Sequence, residues 1–483
     1  MKRLPFGFAK RNGVLLTEDA VLYKEGMTSL VFAEMQRFTG RQLEFRLVDD
    51  STFDQQLSLS YQNDSDEAMQ MIEGLGDDME LSSIIDALPE TGDLLEQEDD
   101  APIIKLINSL LTEAVKVGAS DIHVETYEAR LVVRFRVDGV LREVVSPRRA
   151  LAPLLVSRIK VMAKLDIAEK RLPQDGRISV VIGGKEVDVR VSTIPASKGE
   201  RVVMRLLDKQ EGRRDLSHLG MSQSDMESMV NLVNRPHGVI LVTGPTGSGK
   251  STTLYACLDQ LNDRSMNVLT VEDPIEYDVE GIGQTQVNSK ADMTFAKGLR
   301  AILRQDPDVV MVGEIRDYET ADISVQASLT GHLVLSTIHT NTAIGALTRL
   351  ENMGVQPYLL SNSIAGLVSQ RLVRVLCADC RQAYSADGYE CEFLKAKKKT
   401  APQIYRAQGC DACAYEGYRG RMGIYEVVQI DDELRRMIHG GVSELDMEVY
   451  ARSKTTGIRD DGRQKVLKGQ TTIDEVLRQT MED

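Results

Sequence analysis

Long apolar runs are missing from the sequence: no stretch reaches the roughly 18 residues that a membrane-spanning helix needs. The N-terminus also has no signal-peptide hydrophobic core. We therefore expect a chain that stays in the cytoplasm, where it is made, and that reaches a membrane only peripherally, by docking on a membrane protein.

Positive charge is also scarce, because 58 Lys and Arg residues face 73 Asp and Glu residues and leave a formal net charge of −15. A general nucleic-acid binder neutralises many phosphates with basic side chains, so this balance argues against that class of function. The apolar share of 42% is that of a globular protein, and 483 residues allow about three domains.

Cysteines are few, but their spacing is regular. The six cysteines suit a reducing cytoplasm. Four of them form a C-x-x-C … C-x-x-C pattern: Cys377, Cys380, Cys410 and Cys413. Four thiolates can close a tetrahedral shell, so the pattern predicts a structural Zn²⁺ site without an open position for metal catalysis. The other two, Cys257 and Cys391, are predicted to be isolated thiols.

Residues 244–251 read GPTGSGKS, a complete G-x-x-x-x-G-K-S/T phosphate loop between an apolar run and a helical pattern. Glycines let backbone N–H groups cradle phosphate, Lys250 is expected to reach the β- and γ-phosphates of ATP, and Ser251 to ligate Mg²⁺. The alternative, a surface glycine loop, does not explain a full match in this context. The predicted nucleotide-binding residues are Gly244, Pro245, Thr246, Gly247, Ser248, Gly249, Lys250, Ser251 and Thr252.

Composition and periodicity divide the chain into parts of different character. Four short, very apolar strands are predicted at 239–243, 267–271, 309–312 and 333–338, and they alternate with helical stretches. With the phosphate loop at the first strand, this pattern predicts a doubly wound, mostly parallel α/β nucleotide-binding core. Residues 76–100 are strongly acidic, which predicts a solvated linker; an interaction tail is the alternative. The predicted parts are a small N-terminal α+β domain (1–75), the acidic linker (76–100), a second α+β domain (101–215), the nucleotide-binding core (216–376), a tetracysteine zinc element (377–420) and a C-terminal helical region (421–483).

Acidic side chains follow two predicted core strands, at the edge where an open α/β sheet places its ligands. In DPDVVMVGEIRD, at 306–317, Glu314 is the first choice for a general base or water-positioning residue. In TVEDPIEY, at 270–277, Glu272 and Glu276 are expected to hold Mg²⁺ indirectly or to relay hydrolysis. Helix caps or surface turns are the alternative reading for each segment alone.

Histidines and arginines supply the remaining candidates for catalysis. His339 and His332 flank another core strand, where a histidine is either a γ-phosphate sensor or a structural residue. Arg190 and Arg205, on predicted strands of the second domain, are candidate arginine fingers acting in cis or from a neighbouring subunit. The alternative for such arginines is a solvated strand face.

In this order, the phosphate loop, TVEDPIE, DPDVVMVGEIRD and TGH…HTN resemble the motifs of secretion and pilus traffic ATPases. GASDIH at 118–123 and LPQDGR at 172–177 also match, so the resemblance runs from about residue 101 to the C-terminus. The tetracysteine element resembles that of the type II secretion and pilus-extension branches, which pilus-retraction ATPases lack. The N-terminal RLPFGFAK, at 3–10, resembles the type II secretion branch.

This resemblance implies that the first 75 residues form a docking domain, that the second domain is PAS-like and that the core is a RecA-like ATPase core. It also implies a homo-hexameric ring that hydrolyses Mg-ATP between the second domain and the ATPase core, and so drives pseudopilus assembly and protein export through the outer membrane. It implies attachment to the cytoplasmic face of the inner membrane, through an L-type secretion protein bound by the N-terminal domain and through a membrane platform protein. The alternatives are a pilus-extension motor, a scaffold that binds ATP without useful turnover, and a DNA translocase, which the acidic balance disfavours.

Overall fold

The structure is a computed structural model, and it describes residues 13–17, 20–24, 31, 44–49, 52–53, 102–182, 185–208, 215–288, 291–397 and 401–480. The predicted acidic linker, 76–100, lies outside the described residues. The chain divides into two compact units, Met1–Lys209 and Gln210–Asp483. None of the described helices is long and apolar enough to cross a membrane.

Near its N-terminus, the first unit contains a small three-stranded sheet. Its strands are β1 (Val14–Leu16), β2 (Ala20–Tyr23) and β3 (Glu44–Leu47). Strand β1 pairs antiparallel with β2, and β3 pairs parallel with β2. Val14, Leu15, Val21 and Phe53 are buried together beside this sheet, so even this small element has an apolar core of its own.

A six-stranded sheet with two helices forms the rest of the described first unit. The helices are α1 (Pro102–Lys116) and α2 (Ala152–Met162), and the strands are β4 (Ala119–Thr126), β5 (Leu131–Val137), β6 (Val140–Val145), β7 (Gln174–Ile182), β8 (Lys185–Ala196) and β9 (Gly199–Asp208). Every pair of neighbours is antiparallel, in the order β6-β5-β4-β9-β8-β7. Asp138 and Gly139 both have positive φ in the hairpin turn between β5 and β6.

Alternation along these strands separates an apolar face from a polar one. Ile122 and Val124 of β4 belong to the same buried cluster as Leu106 and Leu110 of α1. Since successive strand residues point to opposite faces, Asp121, directly before Ile122, and its neighbours in register must lie on the other face. Those neighbours are Arg136 of β5 and Arg205 of β9.

The second unit is built on a seven-stranded sheet in the order β12-β11-β13-β14-β10-β15-β18. Its strands are β10 (Gly238–Thr243), β11 (Val268–Glu272), β12 (Gly283–Gln286), β13 (Val309–Val312), β14 (Leu333–Ile338), β15 (Ile364–Leu376) and β18 (Tyr418–Gln429), while β16 (Gln382–Ser385) and β17 (Gln403–Arg406) form a separate antiparallel pair. All pairs in the large sheet are parallel except β15 with β18. The fold class is confirmed, and the antiparallel edge explains why residues 421–429 are strand, although the sequence suggested helix for the region from 421 onward.

Helices cover both faces of this sheet, so its central strands are buried along their whole length. All six residues of β10 and all six of β14 are buried. The helices of the unit are α3 (Gln223–Val233), α4 (Lys250–Leu261), α5 (Phe295–Ile302), α6 (Tyr318–Leu329), α7 (Gly345–Met353), α8 (Pro357–Ser363), α9 (Gly388–Phe393), α10 (Asp432–His439), α11 (Glu444–Lys454), α12 (Ile458–Leu467) and α13 (Ile473–Thr480). Separate apolar clusters pack on the two faces, so the sheet positions the loops at its edge rigidly.

Candidate functional site

The phosphate loop connects β10 to α4 and depends on its glycines. Gly244, Gly247 and Gly249 all have positive φ, between 80° and 147°. A Cβ on Gly244 would lie 2.5 Å from the backbone carbonyl oxygen of Gln370, and a Cβ on Gly249 would lie 2.8 Å from the side-chain amide nitrogen of the same residue. Both the backbone conformation and the available space therefore require glycine.

Polar groups suited to an anion converge within this loop. Lys250 Nζ donates to the carbonyl oxygens of Gly244 at 2.8 Å and of Pro245 at 3.0 Å. Burial lowers the pKa of Lys250 to about 8, against the opposing effect of the Glu314 carboxylate. Among the described residues, Ser248 Oγ is buried without a hydrogen-bond partner. A glycine loop with a buried ammonium and an unsatisfied hydroxyl, placed at the start of a helix, fits a nucleotide phosphate chain.

Glu314 and His339 meet beside Lys250, since each follows a core strand that ends at this edge. Glu314 Oε2 accepts a hydrogen bond from Arg316 at 2.7 Å, and its Oε1 lies 3.4 Å from His339 Nε2. Burial raises the pKa of Glu314, but the Arg316 hydrogen bond and nearby positive charges outweigh it and hold the pKa below its usual value. Burial and Lys250 lower the pKa of His339. The site thus offers an ionised carboxylate beside a neutral imidazole at neutral pH.

Glu272 is buried and acts as the acceptor of a closed hydrogen-bond network. Its carboxylate accepts from Thr270 Oγ1 at 2.6 Å, from Gln284 Nε2 at 3.2 Å and from the hydroxyl of Tyr255. Burial and the adjacent carboxylate raise the pKa of Tyr255, so the phenol keeps its proton. The backbone N–H of Glu276 donates to the same hydroxyl at 3.3 Å. In this arrangement the segment is fixed against α4.

The two histidines lie at opposite ends of β14. Gly238, the first residue of β10, donates its N–H to the carbonyl oxygen of His332. His332 Nδ1 also lies 2.9 Å from the carbonyl oxygen of Ala327. The structure therefore brings His339 to the phosphate loop, while His332 lies at the far edge of the sheet.

The two candidate arginine fingers are direct neighbours on the polar face of the six-stranded sheet in the first unit. Arg190 of β8 is in register with Arg205 of β9, and with Arg177 of β7 on its other side. Arg205 Nε donates to Asp121 Oδ1 at 2.9 Å, and 56% of its side chain is exposed. Because Asp121 is buried, it anchors an arginine whose outer edge remains available to an anion.

The four predicted zinc ligands come together. Their sulfur atoms all lie within 4.8 Å of one another. The separations are 3.9 Å for Cys377 and Cys410, and 3.8 Å for both Cys380 with Cys413 and Cys410 with Cys413. A tetrahedral ion with Zn–S bonds of about 2.3 Å needs sulfur atoms about 3.8 Å apart. The donor set therefore fits Zn²⁺.

Backbone N–H groups orient these thiols. Gly409 N donates to Cys380 Sγ at 3.3 Å, and Gly417 N donates to Cys413 Sγ at 3.1 Å. Such hydrogen bonds fix the ligands and favour thiolates, as partners outside the ligand shell do in metal sites. Cys257 and Cys391 are both buried and lie outside this cluster.

Sequence reasoning missed two residues that contact the phosphate loop, the helix after it and the segment that follows His339. Gln370 and Arg371 lie in β15, whose buried pattern gave no signal of a link to the phosphate loop. Arg371 Nη2 donates to the carbonyl oxygen of Asn341 at 2.7 Å, just after His339. Gln370 accepts from Thr253 of α4. These partners are separated by 30 and 117 residues, so only the folded sheet reveals them.

Known proteins resemble the chain along its whole length. It is 62% identical to "Type II secretion system protein E" of Pseudomonas aeruginosa, over 100% of this chain and 97% of the relative. It is 56% identical to "Type II secretion system ATPase E" of Vibrio cholerae, again over 100% and 97%.

Solved structures share the fold. The ATPase DotB of Legionella pneumophila matches with a TM-score of 0.58 at 20% identity, covering 81% of this chain and 97% of that one. The pilus retraction motor PilT with bound ADP matches with a TM-score of 0.53 at 26% identity, covering 76% and 95%.

Two family profiles also match. Residues 96–478 match the family described as "Type II/IV secretion system protein". Residues 3–61 match a domain family described under the name "GSPII protein E". Together with the full-length relatives, these matches show that the chain belongs to the type II/IV secretion system protein family, among its type II secretion ATPases.

Proposed function

We propose that this ATPase binds the triphosphate of ATP on residues 244–252, with Lys250 on the β- and γ-phosphates. The supporting observation is the convergence of Lys250, Glu314 and His339 at the edge of one rigid sheet. Ser251, at the start of α4, would hold Mg²⁺, which neutralises phosphate charge when bound.

In this proposal Glu314 orients the attacking water and accepts its proton. The low pKa keeps the carboxylate ionised, and its contacts with Arg316 and His339 fix its direction. His339 Nε2 lies 3.4 Å from Glu314 Oε1 and therefore responds to the position of this carboxylate. In this way His339 reports the state of the γ-phosphate. Glu272 supports the site through its network with Tyr255, and Glu276, whose backbone N–H joins that network, would reach metal-bound water. His332 has no place in this mechanism.

Replacement of Lys250 tests the assignment of the nucleotide site. Lys250→Ala removes a charge-assisted contact to phosphate, so ATP affinity should fall by about 10- to 100-fold and turnover should be lost. Titration of a fluorescent ATP analogue with Mg²⁺ and a steady-state phosphate assay measure both. Lys297→Ala, which removes an exposed lysine paired with Asp292 in the same unit, is the matched control. Wild-type affinity in Lys250→Ala would contradict the proposal.

We further propose that the cysteine cluster holds one structural Zn²⁺ and that the chain works as a homo-hexamer. Peripheral attachment to the cytoplasmic face of the inner membrane would come from residues 1–75, through the cytoplasmic part of an L-type secretion protein. An inner-membrane platform protein would be the second partner. The match of residues 3–61 to a domain of GSPII protein E supports this assignment.

A capture experiment tests the partner assignment. The full chain and a form starting at residue 101 serve as baits against solubilised inner membranes, with retained proteins identified by mass spectrometry. We expect an L-type secretion component with the full chain alone. Retention of a pilus platform component instead would redirect the assignment to pilus extension, and equal retention by both baits would refute the role of residues 1–75.

A further inference from the structure

We propose that Gln370 is a positioning residue that fixes the phosphate loop in its nucleotide-binding geometry. The inference rests on the proposed role of the loop. Strand β15 lies beside β10, and its Ser369 is in register with Thr243, the last residue of β10. Gln370 therefore stands next to Gly244, where the loop begins. Its side chain is polar, yet only 1% of the residue is exposed.

Gln370 contacts the loop at its start, at its end and at the helix that follows. Its backbone carbonyl oxygen limits the space at Gly244, and its side-chain amide nitrogen limits the space at Gly249. Its Oε1 accepts a hydrogen bond from Thr253 Oγ1 at 2.7 Å. Thr253 in turn donates its backbone N–H to the carbonyl oxygen of Gly249 at 3.1 Å. One residue thus sets the loop relative to the first turn of α4.

The hydrogen bond between Gln370 and Thr253 is buried on both sides, since Thr253 is fully inaccessible. Loss of either partner leaves a buried polar group unsatisfied, which costs more than loss of an exposed hydrogen bond. The site can relieve that cost only by moving α4 or the loop. Movement of the loop would turn its N–H groups away from the phosphates, so the effect reaches the nucleotide although Gln370 does not touch it.

Two substitutions isolate this bond. Gln370→Met keeps the length of the side chain but cannot accept the hydrogen bond, and Thr253→Val keeps its shape but cannot donate. Each should weaken ATP and ADP binding and raise KM by about tenfold, with a smaller change in kcat. Thr253→Ser, which restores the hydroxyl, should return affinity to within about twofold of the original. The double variant should bind no more weakly than either single one, because both remove the same contact.

Matched variants separate this inference from a general loss of stability. Gln429→Met makes the same change in β18, opposite Gly366 of β15 and four residues away from Gln370 along the strand, and should leave nucleotide affinity unchanged. Should Gln370→Met fail to fold, the comparison of Thr253→Val with Thr253→Ser decides the question. Unchanged affinity in folded Gln370→Met or Thr253→Val, or independent effects in the double variant, would overturn the inference. Lys250→Ala in the same assay distinguishes that outcome from failure of the phosphate-loop assignment itself.

Discussion

At the scale of single residues, the candidate site brings together an ionised carboxylate and a neutral imidazole beside the same positive charges. Lys250 and Arg316 stabilise the charge of Glu314, while the same positive charges disfavour protonation of His339. A water-activating carboxylate needs to be ionised, and a neutral imidazole can donate or accept a hydrogen bond without repelling Lys250. The arrangement suits hydrolysis better than passive binding, which a buried lysine and a phosphate loop alone would provide.

Glu314→Gln tests that distinction. The substitution keeps the shape and one acceptor for Arg316 but removes the base, so kcat should fall by about 100-fold or more while ATP affinity stays within about threefold. Single-turnover and steady-state hydrolysis, with parallel nucleotide titration, separate the two quantities. Glu319→Gln is the matched control. Glu319 lies only five residues after Glu314, and it is an exposed acid paired with Arg300. Unchanged steady hydrolysis in Glu314→Gln would remove Glu314 from its assigned role.

The sequence allowed the residues of local motifs to be predicted, but not the residues that support them. The geometry of Lys250 and its loop is encoded within eight consecutive residues, since glycine spacing and a helix start determine it. Gln370 supports the same loop from a strand more than a hundred residues later, and Tyr255 fixes Glu272 from the middle of a helix. Neither residue type nor spacing predicts such contacts, because they form only when the order of strands in the sheet brings distant segments together.

At the scale of elements, β15 connects the phosphate loop to the cysteine element. Gln370, in the middle of the strand, lies beside the phosphate loop, and the strand ends six residues later at Leu376, directly before Cys377. Arg374, between them, is held by Glu475 of α13 at 2.7 Å and lies over the ring of Tyr418 in β18. The cysteine element is therefore anchored to the main sheet through one continuous strand and its antiparallel neighbour.

Removal of a cysteine ligand should affect stability much more than catalysis. Purified protein should contain about one Zn²⁺ per chain by elemental analysis, because the four thiols form a single site. Cys380→Ser should lose the ion and lower Tm by about 5 °C or more, since metal binding contributes to folding. Nucleotide affinity should persist, because the four sulfur atoms belong to an element separate from the proposed nucleotide ligands. Cys391→Ser, in the same element but outside the cluster, should keep its zinc; zinc-free wild-type protein would refute the site.

Element prediction succeeded where the hydrophobic pattern was unambiguous. The strands β10, β11, β13 and β14 are short, apolar runs bounded by turn residues, and the structure places them within one residue of expectation. Strand β18 was missed because the sequence was expected to turn helical after the cysteines, although its last six residues are almost entirely buried against β15. Its pairing with β15 is a long-range contact that no local pattern specifies.

At the scale of the whole molecule, the candidate catalytic residues are divided between the two units. The second unit holds the phosphate loop and Glu314, while the first holds Arg190 and Arg205 side by side on an exposed polar face. An arginine aimed at a γ-phosphate completes the active sites of many phosphate-loop enzymes, either in cis or from a neighbour. In the proposed homo-hexamer, these arginines are candidates to act either on the nucleotide of their own subunit or on that of a neighbour.

Mixing two inactive variants tests whether the arginines act between subunits. Arg205→Gln removes the charge that Asp121 orients, and Glu314→Gln removes the base; each alone should lose most hydrolysis. In mixed hexamers, an Arg205→Gln subunit keeps its own Glu314 and can receive an intact Arg205 from a Glu314→Gln neighbour. If arginine acts in trans, the mixture therefore recovers part of the activity, and the recovery grows with protein concentration. If arginine acts in cis, no mixture recovers it. Glu314→Gln mixed with Lys250→Ala is the control, since both changes lie in the second unit, on the same side of any shared site, and cannot complement each other.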